Sequence, residues 1–281
     1  MKQLGFIGAG NMAEALARGL IENKVFKASE LIASDVEAGR RRKFKSALKI
    51  ETTTDNLAVM NASRAVLLAV KPQTIDAVLR ELAEESPAGN GARNKGGIGS
   101  RLFISIAAGV TLHRLESALG GRARVIRVMP NAPAMVGEGM AAIVRGGNAT
   151  RTDEAFALRI FRAVGDAVAL KDEHLLDAVT ALSGSGPAYV YLFAKALADA
   201  GEAQGLPAEL ALRMALKTVR GAETNMRRSP LSAADLIRIV ASPGGTTEAA
   251  LRQLDADRFS DIVARAVKAA ADRSRELGRI S

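Results

Sequence analysis

Leu4-Gly5-Phe6-Ile7-Gly8-Ala9-Gly10-Asn11-Met12-Ala13 carries the strongest fold signal in the chain. The apolar run Leu4–Gly8 meets a glycine pair. It is followed by Met12, Ala15, Leu16, Gly19 and Leu20, whose i, i+3, i+4, i+7, i+8 spacing marks one face of a helix. A strand turning through Gly-x-Gly into a helix opens a dinucleotide-binding unit. The glycines permit a tight turn and close approach of backbone to a pyrophosphate, and Ala13 lets helix and strand pack closely. The helix N-terminus presents unpaired N–H groups and a partial positive charge to the phosphates.

Further apolar runs follow at Leu31–Ser34, Ala65–Val70, Leu102–Ala107, Val125–Met129, Met140–Val144 and Ala167–Leu170, with helical patterns between them. Several do not alternate, as expected of strands covered on both faces. This predicts an α/β fold, an N-terminal Rossmann-type doubly wound parallel sheet. After Leu170 the strand signals cease. Leu212, Ala215, Leu216 and Val219 form one helical stripe, and Phe259, Ile262, Val263, Ala266, Val267 and Ala270 another. The expected division is a dinucleotide-binding domain over 1–170 and an all-helical domain over 171–281. Ser86–Arg101, rich in Gly, Asn and basic residues, reads as a mobile surface loop.

Composition narrows the chemistry. Of 281 residues 48% are hydrophobic, so a sizeable core can be buried, and the absence of tryptophan leaves that core mainly to Ala, Leu, Val and Ile. There is no cysteine, which excludes disulfides, thiolate nucleophiles and cysteine metal sites and fits a reducing compartment. The net charge of +9 is spread along the chain with few aromatics. It reads as a solvated basic surface that favours a phosphate-bearing cofactor, and nucleic acid is not expected. No stretch has the length of a membrane span, and Leu4–Gly8 is too short for a secretory signal, so the expected location is the cytoplasm.

Two further segments bear on the cofactor. Asp35, at the end of the second run, stands where an acidic residue holds the ribose diol of NAD, and a carboxylate there repels the 2′-phosphate of NADP. Arg40, Arg41, Arg42 and Lys43 follow closely and can grip that phosphate. The cues conflict. NADPH is the slightly favoured reading and NADH the alternative. Ala69-Val70-Lys71-Pro72 closes the third run, where proline stops the ladder at the sheet edge that binds ligands.

At the substrate end three motifs stand out: Val128-Met129-Pro130-Asn131-Ala132-Pro133, Leu182-Ser183-Gly184-Ser185-Gly186-Pro187-Ala188-Tyr189 and Ala241-Ser242-Pro243-Gly244-Gly245-Thr246-Thr247. With Gly5–Met12 and Ala69–Pro72 they resemble the pyrroline-5-carboxylate reductase family from end to end. The resemblance implies an oxidoreductase that reduces L-1-pyrroline-5-carboxylate, a cyclic imine carboxylate, to L-proline with NAD(P)H, the last step of proline biosynthesis. It implies a helical domain that makes a homodimer, and a family active site formed by both subunits. Ile7, Gly8, Ala9, Gly10, Asn11, Met12, Asp35, Asn56, Ala69, Val70, Lys71, Pro72, Ile106, Ala107 and Ala108 align with the family's cofactor contacts. Ser242, Gly244, Gly245, Thr246 and Thr247 align with its substrate loop, and the Thr247 hydroxyl with its contact to the ring nitrogen.

The residues support that loop on their own terms: glycines followed by threonines at a helix start offer backbone N–H donors to a carboxylate. An imine nitrogen already protonated in solution needs positioning more than acid catalysis. This suits a chain whose only histidines, His113 and His174, read as structural or exposed. Two departures from the family pattern are Ile237-Arg238, where Lys-Asp is usual, and Ala132, where Thr is common. A β-hydroxyacid dehydrogenase would carry a catalytic lysine shortly after the Gly-x-Gly of the helical domain, but Val190 and Tyr191 stand there and no lysine occurs before Lys195. A non-catalytic NAD(P)-binding sensor would have no need of Thr247 and its glycine loop. The apolar segment Ala178–Ala200 exceeds what one face of a lone helix needs, which also predicts a partner.

Overall fold

The computed structural model describes residues 1–84 and 98–280. β1 (Lys2–Ile7) leads through the glycine turn into α1 (Asn11–Glu22), followed by β2 (Leu31–Ser34), α2 (Ala38–Leu48), β3 (Glu51–Thr53), α3 (Asn56–Ala62), β4 (Ser63–Leu68) and α4 (Ile75–Glu84). Next come β5 (Leu102–Ser105), α5 (Leu112–Ala118), β6 (Arg124–Met129), β7 (Gly139–Arg145), α6 (Arg151–Phe161), β8 (Gly165–Leu170) and α7 (Leu175–Val179), which runs into a π-turn at Thr180–Gly184. The remaining elements are helices: α8 (Gly186–Ala203), α9 (Ala208–Arg228), α10 (Ala233–Val240), α11 (Thr246–Ala256) and α12 (Phe259–Ile280).

The strands form one sheet in the order β3-β2-β1-β4-β5-β6-β7-β8. β1 to β6 are parallel, β7 runs antiparallel to β6, and β8 is parallel to β7. The order reverses between β1 and β4, so their carboxyl ends flank the crevice where doubly wound sheets bind ligands. The non-alternating runs have the expected cause. Leu4 and Phe6 face one core with Leu16, Phe44 and Ile126, whereas Ile7 faces the other with Val66, Leu68, Phe103 and Leu176. Phe6 and Phe44 meet edge-on at 6.2 Å in the first core. Truncating such a buried phenylalanine costs about 3–5 kcal/mol.

Three features were not legible in the runs. β3 pairs with β2 at the sheet edge but is three polar, partly exposed residues long, too short to carry a pattern. The first compact unit extends past the last strand, to Gly184, because α7 adds Leu176 to the second core. The chain from Ala271 onward belongs to the same unit, where the Ser274 hydroxyl donates to Asp177 at 2.6 Å. The second unit, Ser185–Ala270, is all helical. Of the loop expected at Ser86–Arg101, residues 86–97 lie outside the described residues. Ile98–Ser100 form a 3-10 turn and Arg101 is buried, donating to the Ser63 carbonyl at 2.5 Å.

Local chemistry closes several helices. Thr150 caps α6 in a reciprocal box with Asp153, which also pairs with Arg124 at 2.6 Å. Burial alone would raise the Asp153 carboxyl. The Thr150 N–H and hydroxyl and the Arg124 guanidinium outweigh it and hold the group below the ordinary aspartate value.

Candidate active site

The two glycines of the N-terminal turn do different work. Gly8 donates to the Ser34 carbonyl at 2.9 Å, tying the turn to β2. Its φ is +97°, and a Cβ would stand 2.8 Å from the Ala69 carbonyl, so backbone strain and packing both require glycine. Gly10 has an ordinary φ of −74°, and a Cβ there would meet only the Arg40 Nη1, at 3.5 Å. Nothing among the described residues requires glycine at position 10. The bare backbone leaves an open cradle at the start of α1, whose first turn has no side-chain cap. Unsatisfied N–H groups and an unfilled cradle fit a pyrophosphate. Ile7 and Ala9 are buried beneath the turn, Asn11 is exposed at its rim, and Met12 packs against the first core.

Asp35 reaches into the turn. Its Oδ2 accepts the Ala9 N–H at 2.8 Å and its Oδ1 the Glu37 N–H at 2.8 Å, with only 7% of the side chain exposed. The Arg40 Nη1 stands 3.8 Å from that carboxylate, while its Nε holds Glu37 at 3.1 Å. Arg41 donates to the Asp35 and Val36 carbonyls, which takes it out of the phosphate-binding set. Lys43 pairs with Glu14 on α1 at 2.7 Å. Of the basic cluster, Arg40 is the member whose guanidinium stands beside the glycine turn. Asn56 begins α3 with its side chain between the Ser34 hydroxyl, which it accepts at 2.6 Å, and Glu81, to which it donates at 2.7 Å.

Beyond the switch point, the β1–β4 ladder continues through the Ala69 N–H to the Ile7 carbonyl at 2.8 Å, and the β4–β5 ladder through the Ile106 N–H to the Leu68 carbonyl at 3.2 Å. Val70 is half-buried, Lys71 is exposed, and Pro72 starts a 3-10 turn that diverts the chain. Ala107 is buried and Ala108 exposed at the same edge. The structure thus gathers the expected cofactor segments at the carboxyl ends of β1, β2, β4 and β5. The C-terminal turn of α12 backs the last of these: a Cβ on Gly109 (φ +77°) would stand 3.2 Å from the Leu277 Cβ.

In the helical unit, Ser242-Pro243-Gly244-Gly245 leads into α11. Gly244 has φ +70°, and its N–H is taken by Glu248 at 2.7 Å. The Gly245 N–H donates to the Ser242 carbonyl at 2.9 Å. Two loop donors are therefore engaged within the loop. Thr246 and Thr247 open α11, which has no side-chain cap, so its first N–H groups lack intrahelical partners. Just upstream, Arg238 pairs with Asp235 on α10. Side-chain hydrogen bonds from Ser232 and Arg238 hold the Asp235 carboxyl below its ordinary value.

Asn131 has a structural role that its local sequence does not show. It follows β6 and bonds both Ser183 and Met140. The Met-Pro-Asn motif was visible, but not the partner of its asparagine. Among the described residues, no group of three or more His, Asp and Glu side chains is disposed to hold a metal ion.

A doubly wound sheet with an open glycine cradle at its switch point, joined to a helical unit carrying a Gly-Gly-Thr-Thr helix start, defines the nicotinamide-dinucleotide oxidoreductase class. Residues 3–91 match the family model described as NADP oxidoreductase, coenzyme F420-dependent, and residues 173–277 match pyrroline-5-carboxylate reductase dimerisation. The chain is 42% identical over 277 residues to the pyrroline-5-carboxylate reductase of a Synechocystis species, covering 99% of this chain and 98% of that one. It is 40% identical over 275 residues to that of Pseudomonas aeruginosa, covering 98% and 96%. Among solved structures, the Coxiella burnetii pyrroline-5-carboxylate reductase superposes with a TM-score of 0.88 at 33% identity, covering 98% of each chain. The Plasmodium falciparum enzyme with NADP bound gives 0.85 at 31% identity, covering 99% of this chain and 98% of that one. The chain belongs to the pyrroline-5-carboxylate reductase family.

Proposed function

We propose that this protein reduces L-1-pyrroline-5-carboxylate to L-proline with NADPH, the last step of proline biosynthesis, and that NADH serves as a second donor. The observation that carries the reading is full-length similarity to reductases of that name, with the glycine cradle and the Gly-Gly-Thr-Thr helix start both intact. When bound, the cofactor supplies a hydride to the imine carbon. The ring nitrogen arrives protonated, and its positive charge is quenched as the C=N bond becomes C–N.

The chain's own residues bind and orient. Gly8, Ala9, Gly10, Asn11 and Met12 form the pyrophosphate cradle over Ile7. Asp35 holds the cradle through the Ala9 N–H and turns its remaining lone pairs to the adenosine ribose, with Asn56 beneath. Arg40 reads the 2′-phosphate. Ala69–Pro72 and Ile106–Ala108 line the path of the cofactor toward its reacting end. Ser242, Gly244, Gly245 and Thr246 shape the carboxylate loop, where the substrate competes with Glu248 for the Gly244 N–H. The Thr247 hydroxyl accepts from the ring N–H and fixes the imine for hydride arrival.

The sheet unit serves as the dinucleotide domain and the helical unit as the substrate and dimerisation domain, so the working form is a homodimer or a larger homo-oligomer. No helix among the described residues is long and apolar enough to cross a membrane, and we place the protein in the cytoplasm, with neither membrane nor nucleic acid as a partner. Against a β-hydroxyacid dehydrogenase stands Lys195, the first lysine of α8, which is exposed and pairs with Asp199 at 2.5 Å. The test is NADPH oxidation with and without the imine, beside NADP⁺ reduction with β-hydroxyacids. Imine-dependent oxidation alone supports the reading. Turnover of the hydroxyacids, or of nothing, overturns it.

A further inference from the structure

Asn131 stands where three segments of the sheet unit meet. Its Oδ1 accepts the Met140 N–H at 2.8 Å, at the start of β7. Its Nδ2 donates to both the carbonyl and the hydroxyl oxygen of Ser183, each at 3.2 Å. Next to it, Met129 closes on Gly184 so tightly that a Cβ on that glycine would lie 2.5 Å from the methionine Cε. The end of β6 is thereby docked on Ser183 and Gly184 through one polar brace and one apolar contact.

Ser183 and Gly184 are the last two residues of the π-turn. Such turns are rare, because each carries one residue more per hydrogen-bonded ring than an α-helix, and they concentrate at functional sites. This one begins at Thr180, whose hydroxyl donates to the Leu176 carbonyl at 2.7 Å, a back-bond that bends helices. Released from its brace, the turn can relax to α-helical spacing. Loss of the extra residue would rotate Ser183 and Gly184 by about 100° about the helix axis. Both residues lie against the carboxyl end of β6, on the sheet edge that binds ligands.

We propose that Asn131 is a positioning residue for imine reduction: its amide pins the π-turn Thr180–Gly184 to the end of β6 and holds Ser183 and Gly184 in the geometry that hydride transfer needs. The inference rests on the reductase reading. It gives Asn131 no contact with the dinucleotide, whose cradle lies at the ends of β1 and β2, so its loss should separate the chemical step from cofactor binding.

Asn131→Asp keeps the acceptor for the Met140 N–H, removes both donors and sets a carboxylate oxygen against the Ser183 carbonyl. In the full-length enzyme, kcat/KM for the imine should fall roughly tenfold to a hundredfold while the NADPH Kd, titrated on the same preparation, stays within about twofold. Ser183→Ala should show a smaller loss of the same kind. The double variant should be no worse than Asn131→Asp alone, because both act on one brace. A lowered Tm with wild-type kcat/KM in Asn131→Asp would reduce the residue to a stabilising role and overturn the proposal, as would equal losses for imine and NADPH. Should Asn131→Asp fail to fold, Ser183→Ala decides, and unchanged kcat/KM there overturns it. A wild-type enzyme inactive on the imine would defeat the reductase reading and this inference together. An active wild type matched by Asn131→Asp would defeat the inference alone.

Discussion

The backbone N–H of Ala9 donates to the Oδ2 of Asp35 at 2.8 Å, so the acidic residue at the end of β2 is part of the glycine turn itself. A hydrogen bond to a charged acceptor is worth about 1.5–3 kcal/mol, and losing it loosens the cradle for either cofactor. Asp35→Asn should weaken NADH and NADPH together, by about tenfold, with their ratio little changed. Arg40→Ala should weaken NADPH selectively, because its guanidinium stands beside Gly10 and, among the described residues, pairs with Asp35 and Glu37. Fluorescence titration of both cofactors on both variants checks this. A ratio shifted strongly toward NADPH by Asp35→Asn would mean that the carboxylate acts mainly by repelling the 2′-phosphate.

The glycines of the turn should separate stability from binding. Gly8→Ala forces an alanine to φ +97° against the Ala69 backbone. Strain of about 1–3 kcal/mol is expected, lowering Tm by several degrees as well as abolishing tight NADPH binding. Gly10→Ala meets only the end of Arg40, so Tm should hold while NADPH affinity falls. Thermal melts beside NADPH titrations distinguish the two. Equal Tm losses would contradict an open cradle at Gly10.

Much of this was legible in the chain. Strands buried on both faces write continuous apolar runs, which is why seven of the eight strands could be read, and the Gly8–Ala13 turn carries its ligand class in its spacing. Glu51–Thr53 was not legible, because a polar three-residue edge strand takes its existence from pairing with β2. Nor was the double duty of Asp35, since the sequence gives its place at a strand end but not that Ala9 lies within reach. The partner of Asn131 lies 52 residues further on, beyond any local pattern.

Thr247 opens α11 beside a glycine at φ +70°. Thr247→Val preserves shape and removes the hydroxyl. A hydrogen bond from a protonated ring nitrogen is worth about 1.5–3 kcal/mol, so kcat/KM for the imine should drop roughly tenfold to a hundredfold with the NADPH Kd unchanged. Thr246→Val should be milder. Steady-state kinetics on the two variants measures the difference, and wild-type turnover by Thr247→Val would leave only its backbone in the site.

In the helical unit, Tyr191 and Leu192 of α8 are 63% and 69% exposed, and Leu212 and Leu216 of α9 are about half exposed. An apolar surface of this extent belongs against another subunit, and residues 173–277 match a dimerisation region. Light scattering at micromolar concentration should give at least twice the chain mass. Leu192→Arg should lower the assembly state, and a wild-type monomer would refute the expectation.

Hydride passage from NADPH to the imine carbon is read directly by isotope transfer. Purified enzyme given L-1-pyrroline-5-carboxylate and NADPH stereospecifically deuterated on the transferring face of its nicotinamide should yield L-proline with one deuterium at C5, one per cofactor oxidised, as resolved by mass spectrometry and NMR. Proline without deuterium, or cofactor oxidation without proline, would contradict the account.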